Sequence, residues 1–409
     1  MFQDAGETAA NPQRMSGSGS VNQPFLLIAL CVLYIGFGAV LGLIQGGLPA
    51  IIMSSGWGPG QAGWAYAFYM PFGLAFLWAP LVDRWKLPFM THSTGWVMSM
   101  QAMTVLAVVG IAMVPGNAYG ALIVLGFGAA IAMATMDLAL DGIAVETVET
   151  RSRGWAAGTK MAGLAFGSMI GGGLLVARFE TWGRETSFLI LACLLTLIVF
   201  PFAFLKFPDG QKPRTQSRAS LRRLFSDQTG RRRLLLLIAV STIIFPISGV
   251  NRLMLVSLGV PLEKIGWLVG TLGPVGMIVA SVVSIPLINK FGHRCALLVF
   301  GGISFVSIIF MLTGVNSGSQ SAALLGAVVI GGSVSGIFIV YAAKILGWAR
   351  GSQPVTDYAA YFGMGRFTAA LAMLASAQLA QAIGWPLYFS IMTGAFVLLL
   401  IYFNKKDEE

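Results

Sequence analysis

The feature that most constrains this chain is a succession of apolar segments, each about as long as a bilayer is thick. A helix needs roughly 20 mostly apolar residues to cross the hydrocarbon core. Only 10% of the 409 residues are charged, against roughly 25% in soluble domains, which excludes a soluble enzyme. The sequence therefore predicts an all-α polytopic membrane protein. We predict twelve spans, at residues 25–48, 60–82, 93–114, 118–141, 155–177, 187–205, 234–256, 266–288, 295–314, 320–343, 355–380 and 386–403.

Lysine and arginine are distributed unevenly between the two sides of the predicted bilayer. Twenty of the 26 basic residues fall in segments on the side of the N-terminus, three in loops on the other side, and three inside spans. Because cytoplasmic loops are enriched in Lys and Arg, both termini are predicted to face the cytoplasm. The formal net charge of +10 is therefore interpreted as a topology signal, and no nucleic-acid partner is expected.

Polar segments divide the chain into five predicted parts. Residues 1–24 form a cytoplasmic polar tail without the basic start and cleavage site of a signal peptide, so the first span is expected to be retained. Residues 25–205 and 234–403 are predicted to be two six-helix bundles, and residues 404–409 a cytoplasmic tail. The cytoplasmic linker over 206–233 carries nine basic residues. We expect it to be solvated, with contact to anionic headgroups as the alternative.

A short motif occurs at the same point of each predicted bundle. Residues 80–85 read Pro-Leu-Val-Asp-Arg-Trp, and residues 286–291, displaced by 206 positions, read Pro-Leu-Ile-Asn-Lys-Phe. Two parallel six-span repeats are the architecture of the major facilitator transporters, in which the substrate binds between the halves near the bilayer centre. We therefore predict this fold, as two pseudo-symmetric six-helix bundles.

The same offset aligns polar residues inside the spans. Lys160 aligns with Arg366, and Gln45 aligns with Asn251, which Arg252 follows. Cations are costly in the bilayer interior, so they are functional candidates by default. We predict that these five residues bind substrate in an anion-attracting cavity. The alternative is that the cations reach the membrane interface or pair with local carboxylates.

Acidic residues cluster where spans two to five reach the cytoplasmic side. Asp137 and Asp141 are four residues apart and so share one helix face. We favour a salt-bridge latch that closes the cytoplasmic ends of the helices, and the alternative is that Asp137 or Asp141 carries a proton. The predicted set for the gate and for proton coupling is Asp83, Arg84, Asp137, Asp141, Glu146, Arg153 and Asp357.

The fifth span carries glycines at every fourth position, namely Gly163, Gly167 and Gly171. This spacing predicts a flat helix face against which another helix packs closely.

No motif indicates enzyme chemistry, because an ATP-binding loop and a nucleophile elbow are both absent. His92 and His293 have no carboxylates at metal-ligand spacing. We therefore expect no cofactor, no metal site and no catalysis, and the expected partners are a small-molecule solute and membrane lipid, with the protein a monomer.

Residues 76–84, Phe-Leu-Trp-Ala-Pro-Leu-Val-Asp-Arg, resemble one branch of the facilitator superfamily. This is the peptide, acetyl-coenzyme A and drug transporter group, which includes muropeptide permeases. Gly47-Leu48-Pro49 and the run 136–142 support the resemblance. The twelve-span length and Thr356-Asp357-Tyr358 are more similar to siderophore permeases of the rhizobactin and pyochelin type.

The resemblance implies proton-driven import of a ferric siderophore across the bacterial inner membrane. Three alternatives remain open at the level of the sequence. The first is import of muropeptides or peptides, and the second is export of a drug or metabolite. The third is a membrane protein that senses or assembles without transport.

Overall fold

The computed structural model describes residues 23–85, 92–149, 152–203, 228–348 and 354–405, and these residues are helical apart from short connections. Eight of their helical stretches are long and apolar enough to cross a membrane. The predicted class, an all-α polytopic membrane protein, is confirmed.

Two sharp bends divide the longest helical stretches into pairs of rods. Gly183 has φ 73° and Gly292 has φ 80°, a backbone region that glycine enters without strain. The resulting rods are consistent with the twelve predicted spans, whereas the number of spans and the side of the termini stay predictions. The rods are α1 (Gln23–Ser54), α2 (59–84), α3 (His92–Met113), α4 (Tyr119–Thr147), α5 (153–182), α6 (184–203), α7 (Gln228–Ser257), α8 (262–291), α9 (293–317), α10 (Gln320–Trp348), α11 (Pro354–Ile383) and α12 (Trp385–Lys405).

Several rods contain irregular turns at glycine- and proline-rich sequence. α1 has a π-helical turn over Leu43–Gly47, and α8 has one over Ile265–Leu272. Each lies immediately before a segment with proline in its first two positions, and proline cannot donate the hydrogen bond that a regular helix requires. A third π-helical turn, Ile170–Leu174 in α5, coincides with three consecutive glycines.

The glycine face of α5 packs directly on α1. A Cβ atom added at Gly163 would lie 2.6 Å from the Cys31 carbonyl oxygen. One added at Gly167 or Gly171 would overlap a carbonyl oxygen of α1. Close approach of the two backbones therefore requires glycine at these positions, and the predicted close packing of the fifth span is confirmed.

The rods repeat along the chain. A shift of 206 residues carries α1–α6 onto α7–α12 with every boundary within five residues. The two halves meet where α2 packs on α11, where α5 packs on α8, and where the ends of α1 and α7 touch. α7 begins at Gln228, six residues before the predicted start of the second bundle.

Successive rods run in opposite directions, so alternate connections lie on the same face of the molecule. One face carries the connections 55–58, 114–118, 258–261 and 318–319 together with the bends at Gly183 and Gly384. We name it the outer face, after the orientation predicted from the basic residues, and the opposite face the inner face.

Candidate functional site

An ion cluster joins the two halves around Asp137, whose side chain is 10% exposed. Lys160 of α5 places its Nζ 3.2 Å from Asp137 Oδ1 and 2.5 Å from Asp141 Oδ1. Arg366 of α11 places its Nη1 3.5 Å from Asp137 Oδ2. One carboxylate of α4 is therefore shared by a cation from each half of the molecule.

Tyr34 of α1 also belongs to the cluster. Its hydroxyl donates a hydrogen bond of 2.8 Å to Asp141 Oδ1. Its ring centroid lies 4.7 Å from Lys160 Nζ, a distance at which the negative face of the ring attracts a cation. Tyr34 thus fixes both members of the Lys160–Asp141 pair, although Asp141 itself is half exposed.

The cluster unites residues that the sequence assigned to two different sites. Lys160 and Arg366 were predicted to attract anions to a cavity, and Asp137 and Asp141 were predicted for the gate or for proton coupling. With all four ionised, the two cations and two carboxylates carry no net charge. This is the pairing with local carboxylates that the sequence left open, and it compensates charges that would be costly alone in a membrane.

The remaining predicted cavity residues lie elsewhere. Gln45 lies in the π-helical turn of α1 and is half-buried, and its side chain hydrogen-bonds Tyr69. Asn251 is buried between α7 and α10, where its amide donates to the Ala327 carbonyl at 3.3 Å. Arg252 reaches across to the first half of the molecule. The structure therefore does not bring these three side chains into the Asp137 cluster.

Five members of the predicted gate carry side chains outside the part of the chain that the structure describes. Their backbones lie in helices, but their contacts are not described. Their role in a gate therefore stays a prediction. They are Asp83, Arg84, Glu146, Arg153 and Asp357.

Side-chain hydrogen bonds close the outer face between α2 and α11. The Gly60 N–H donates to Gln381 Oε1 at 2.6 Å, and Gln378 Nε2 donates to the Gly60 carbonyl at 2.7 Å. We name this pair of bonds the glutamine clasp. A short way along α2, the Tyr66 hydroxyl donates to the Gly249 carbonyl of α7 at 2.8 Å.

Backbone packing closes the outer face between α5 and α8. A Cβ atom at Gly266 would lie 2.5 Å from the Ala177 nitrogen and 2.6 Å from the Gly173 carbonyl oxygen. A Cβ atom at Gly270 would overlap the Gly172 carbonyl oxygen. Here the halves touch through bare backbone, so any separation of the outer face must open this seam.

Sequence reasoning missed Tyr34, Gln378 and Gln381. Each is polar, or has a polar tip, within an apolar span, and that is the signal that could have identified them. Gln378 and Gln381 are also three residues apart and so share one face of α11. The pattern gave no indication that their partner would be the backbone of a single glycine.

Comparison with solved structures gives the fold. A crystal structure of a D-xylose–proton symporter superposes with a TM-score of 0.69 over 93% of this chain and 97% of the other, at 11% identity. A nucleoside transporter superposes with a TM-score of 0.65 over 93% and 99%, at 14% identity. The chain has the major facilitator fold. Because these sequence identities are low, the structural similarity establishes the fold and does not identify the solute.

Sequence comparison identifies a distant relative among transport proteins. The chain is 24% identical over 352 residues to the anhydromuropeptide permease of Escherichia coli K12, an alignment that covers 83% of this chain and 70% of that protein. The same protein of Escherichia coli O157:H7 gives the same values. No protein-family model matches the chain.

Proposed function

We propose that this protein is a proton-coupled secondary transporter of the bacterial inner membrane that imports muropeptide-like solutes. The observation that carries the proposal is the sharing of Asp137 between Lys160 of the first half and Arg366 of the second. In a fold whose halves move against each other around a central site, a charge held by both halves is suited to couple its protonation to that movement.

The coupling follows from electrostatics. While Asp137 is ionised, it is the counter-charge of both cations. When it binds a proton it loses its charge, and Arg366 has no other carboxylate within ion-pair distance among the described residues. Arg366 is then available to an anionic group of the solute. A proton and an anionic solute therefore favour one another's binding, which is the thermodynamic requirement for symport.

The choice of solute rests on two facts. The relative reported above is an anhydromuropeptide permease, and the alignment extends over most of both chains. A muropeptide combines amino sugars with carboxylates, and the carboxylates match the cations of the cluster. Import of a ferric siderophore, which the sequence resemblance favoured, stays a second candidate on that resemblance alone, since neither relative reported above is a siderophore permease.

Uptake into proteoliposomes tests the proposal. The radiolabelled disaccharide N-acetylglucosaminyl-1,6-anhydro-N-acetylmuramic acid is presented on the more acidic side, with and without a protonophore. We expect accumulation that the protonophore abolishes. Asp137→Asn should lose accumulation driven by the proton gradient but retain exchange of labelled for unlabelled solute, because exchange needs no net proton movement.

A matched variant and a second solute decide between the alternatives. Asp141→Asn keeps the carboxylate that bridges the halves, so it should retain more gradient-driven uptake than Asp137→Asn. If radiolabelled iron is taken up as a ferric siderophore and the disaccharide is not, the solute is a siderophore and not a muropeptide. The coupling role of Asp137 would then still stand. Gradient-driven uptake by Asp137→Asn equal to that of the wild type would overturn the coupling role.

A further inference from the structure

Arg252 is a third intramembrane cation, and its bonding differs from that of Lys160 and Arg366. It lies in α7 of the second half, and its Nη1 donates to the Gly172 carbonyl of α5 in the first half at 2.7 Å. The described ion pairs involve other residues. Within the described part of the chain, the charge of Arg252 is therefore met by a carbonyl dipole and not by a carboxylate.

Among the described residues, this bond leaves most hydrogen-bond donors of the guanidinium without a protein acceptor. An arginine has five N–H donors in a planar fork and stays charged under all physiological conditions. One of these donors has a described acceptor. An intramembrane cation without a counter-charge is costly and is retained where it has a function. The Asp137 cluster shows that the same chain neutralises its other two intramembrane cations.

The first half of the molecule is shaped to receive this guanidinium. A Cβ atom at Gly46 would lie 2.5 Å from Arg252 Cζ and 2.6 Å from Nη1, so only glycine leaves room for the fork. Gly46 lies in the π-helical turn of α1 and Gly172 in the π-helical turn of α5. π-helical turns are frequent at functional sites, and here two of them flank one side chain.

The described contacts of the guanidinium cross between the halves. The bond to Gly172 and the packing on Gly46 join α7 to α5 and α1, and the nearby bond from Tyr66 to Gly249 joins α2 to α7. These contacts lie towards the outer face. When that face opens, Arg252 loses its carbonyl partner and is left at the mouth of the opening with its charge uncompensated.

We propose that Arg252 is the anion-binding residue of the outward-facing state, where it captures a carboxylate or phosphate group of the arriving solute. The carbonyl of Gly172 occupies the same donors in the closed state and so acts as a stand-in for that anionic group. Closure of the outer face then requires the anion to leave Arg252. Capture and release are thereby tied to the conformational change.

This inference rests on the proposed transport function, and it specifies that the solute is an anion. Binding of the disaccharide named above, which carries one carboxylate, is compared with binding of its neutral methylamide on the purified full-length protein. We expect wild type to bind the acid roughly tenfold more tightly than the methylamide, the value of a charge-assisted hydrogen bond. While Asp137 is ionised and Arg366 stays paired with it, Arg252→Gln should bind both forms equally, and Arg252→Lys should keep part of the preference.

The matched control is Arg184→Gln. Arg184 also pairs with a backbone carbonyl, that of Val114, at 2.5 Å, but both residues belong to the first half. It should keep the full preference for the acid. If Arg252→Gln fails to yield folded protein, Gly46→Ala is the second variant, because its methyl group takes the place of the guanidinium in the closed state without removing the charge. By disfavouring the closed state it should keep the preference for the acid and bind the acid more tightly than wild type.

The outcomes separate the two proposals. An unchanged preference in Arg252→Gln, or weaker binding of the acid by Gly46→Ala than by wild type, overturns the role of Arg252 and leaves the transport function standing. If wild type binds neither sugar, the proposed solute is wrong, and inorganic phosphate decides the role of Arg252. A rise in melting temperature with phosphate that is present in wild type and Arg184→Gln but absent in Arg252→Gln supports it. Equal shifts in all three, or no shift in wild type, overturn it.

Discussion

Removing the glutamine clasp should open the outer face of the molecule. Gln381 and Gln378 bind the N–H and the carbonyl of Gly60 at 2.6 and 2.7 Å, and both bonds are lost whenever α2 and α11 separate there. A partly exposed hydrogen bond contributes about 0.5–1 kcal/mol net, so Gln378→Leu with Gln381→Leu should cost the closed state roughly 1.5 kcal/mol. This corresponds to roughly a tenfold increase in the ratio of open to closed molecules.

Electron paramagnetic resonance distances between spin labels measure this ratio. Labels at Asn117→Cys and Ser317→Cys lie at exposed positions of the outer face, one in each half. The background variant replaces the free cysteines Cys31, Cys193 and Cys295 by serine. We expect the population at the longer distance to increase about tenfold relative to the shorter one in the clasp variant.

Two further variants make the test specific. Gln320→Leu removes a hydrogen bond of 2.9 Å to the Leu258 carbonyl inside the second half, so it should leave the distances unchanged. Gly60→Ala should act like the double glutamine variant, because its Cβ would lie 2.5 Å from Gln381 Oε1 and 2.6 Å from Gln378 Oε1. Combining Gly60→Ala with Gln378→Leu and Gln381→Leu should increase the open population little beyond that of the double glutamine variant. Unchanged distances in the clasp variant, or an equal shift in Gln320→Leu, would refute the reasoning.

Four other substitutions have defined outcomes. Lys160→Met and Arg366→Met each leave Asp137 with one cation instead of two, so both variants should be expressed but should not take up solute. Uptake within about twofold of wild type in both variants would contradict a functional role of the two cations. Tyr34→Phe removes the bond to Asp141 but keeps the ring beside Lys160, and uptake should fall about fivefold, for roughly 1 kcal/mol. Gly167→Ala places a methyl group against the Ile35 carbonyl and should lower the free energy of unfolding by about 1–3 kcal/mol. Position 158 faces open space, so Gly158→Ala should leave the free energy of unfolding unchanged. Equal melting temperatures of the two variants would exclude a role of Gly167 in packing α5 on α1.

The sequence predicted the class of fold because each span is a local property. The length of an apolar segment identifies a membrane helix, and the offset of 206 residues between the two motifs identifies the duplicated half. The partners of the intramembrane cations could not be read in this way. The offset relates Lys160 to Arg366 as equivalent positions, whereas contact is decided by how the halves dock. The irregular turns of α1, α5 and α8 were also missed, since they depend on the hydrogen bonds that remain around glycine and proline.

A break in the internal repeat explains why Asp137 is shared. In the first half, Lys160 finds Asp137 and Asp141 on the neighbouring α4. The positions 206 residues later in α10 are Ala343 and Gly347, so the second half offers Arg366 no equivalent acid. Arg366 therefore takes its counter-charge from the other half. Because only the first repeat has these two acids, the second cation forms a link between the bundles in place of a pairing within its own bundle.

The two outer closures are related by the same repeat but differ in chemistry, and this difference predicts unequal effects of one substitution. Gly60 aligns with Gly266, yet Gly60 meets the flexible ends of two glutamines, whereas Gly266 meets the backbone of α5. Side chains can move aside, but a backbone seam cannot without shifting a whole helix. Gly266→Ala should therefore hold the outer face open more strongly than Gly60→Ala, measured with the same spin labels. Equal populations of the open state in the two variants would mean that the α5–α8 seam yields as easily as the clasp.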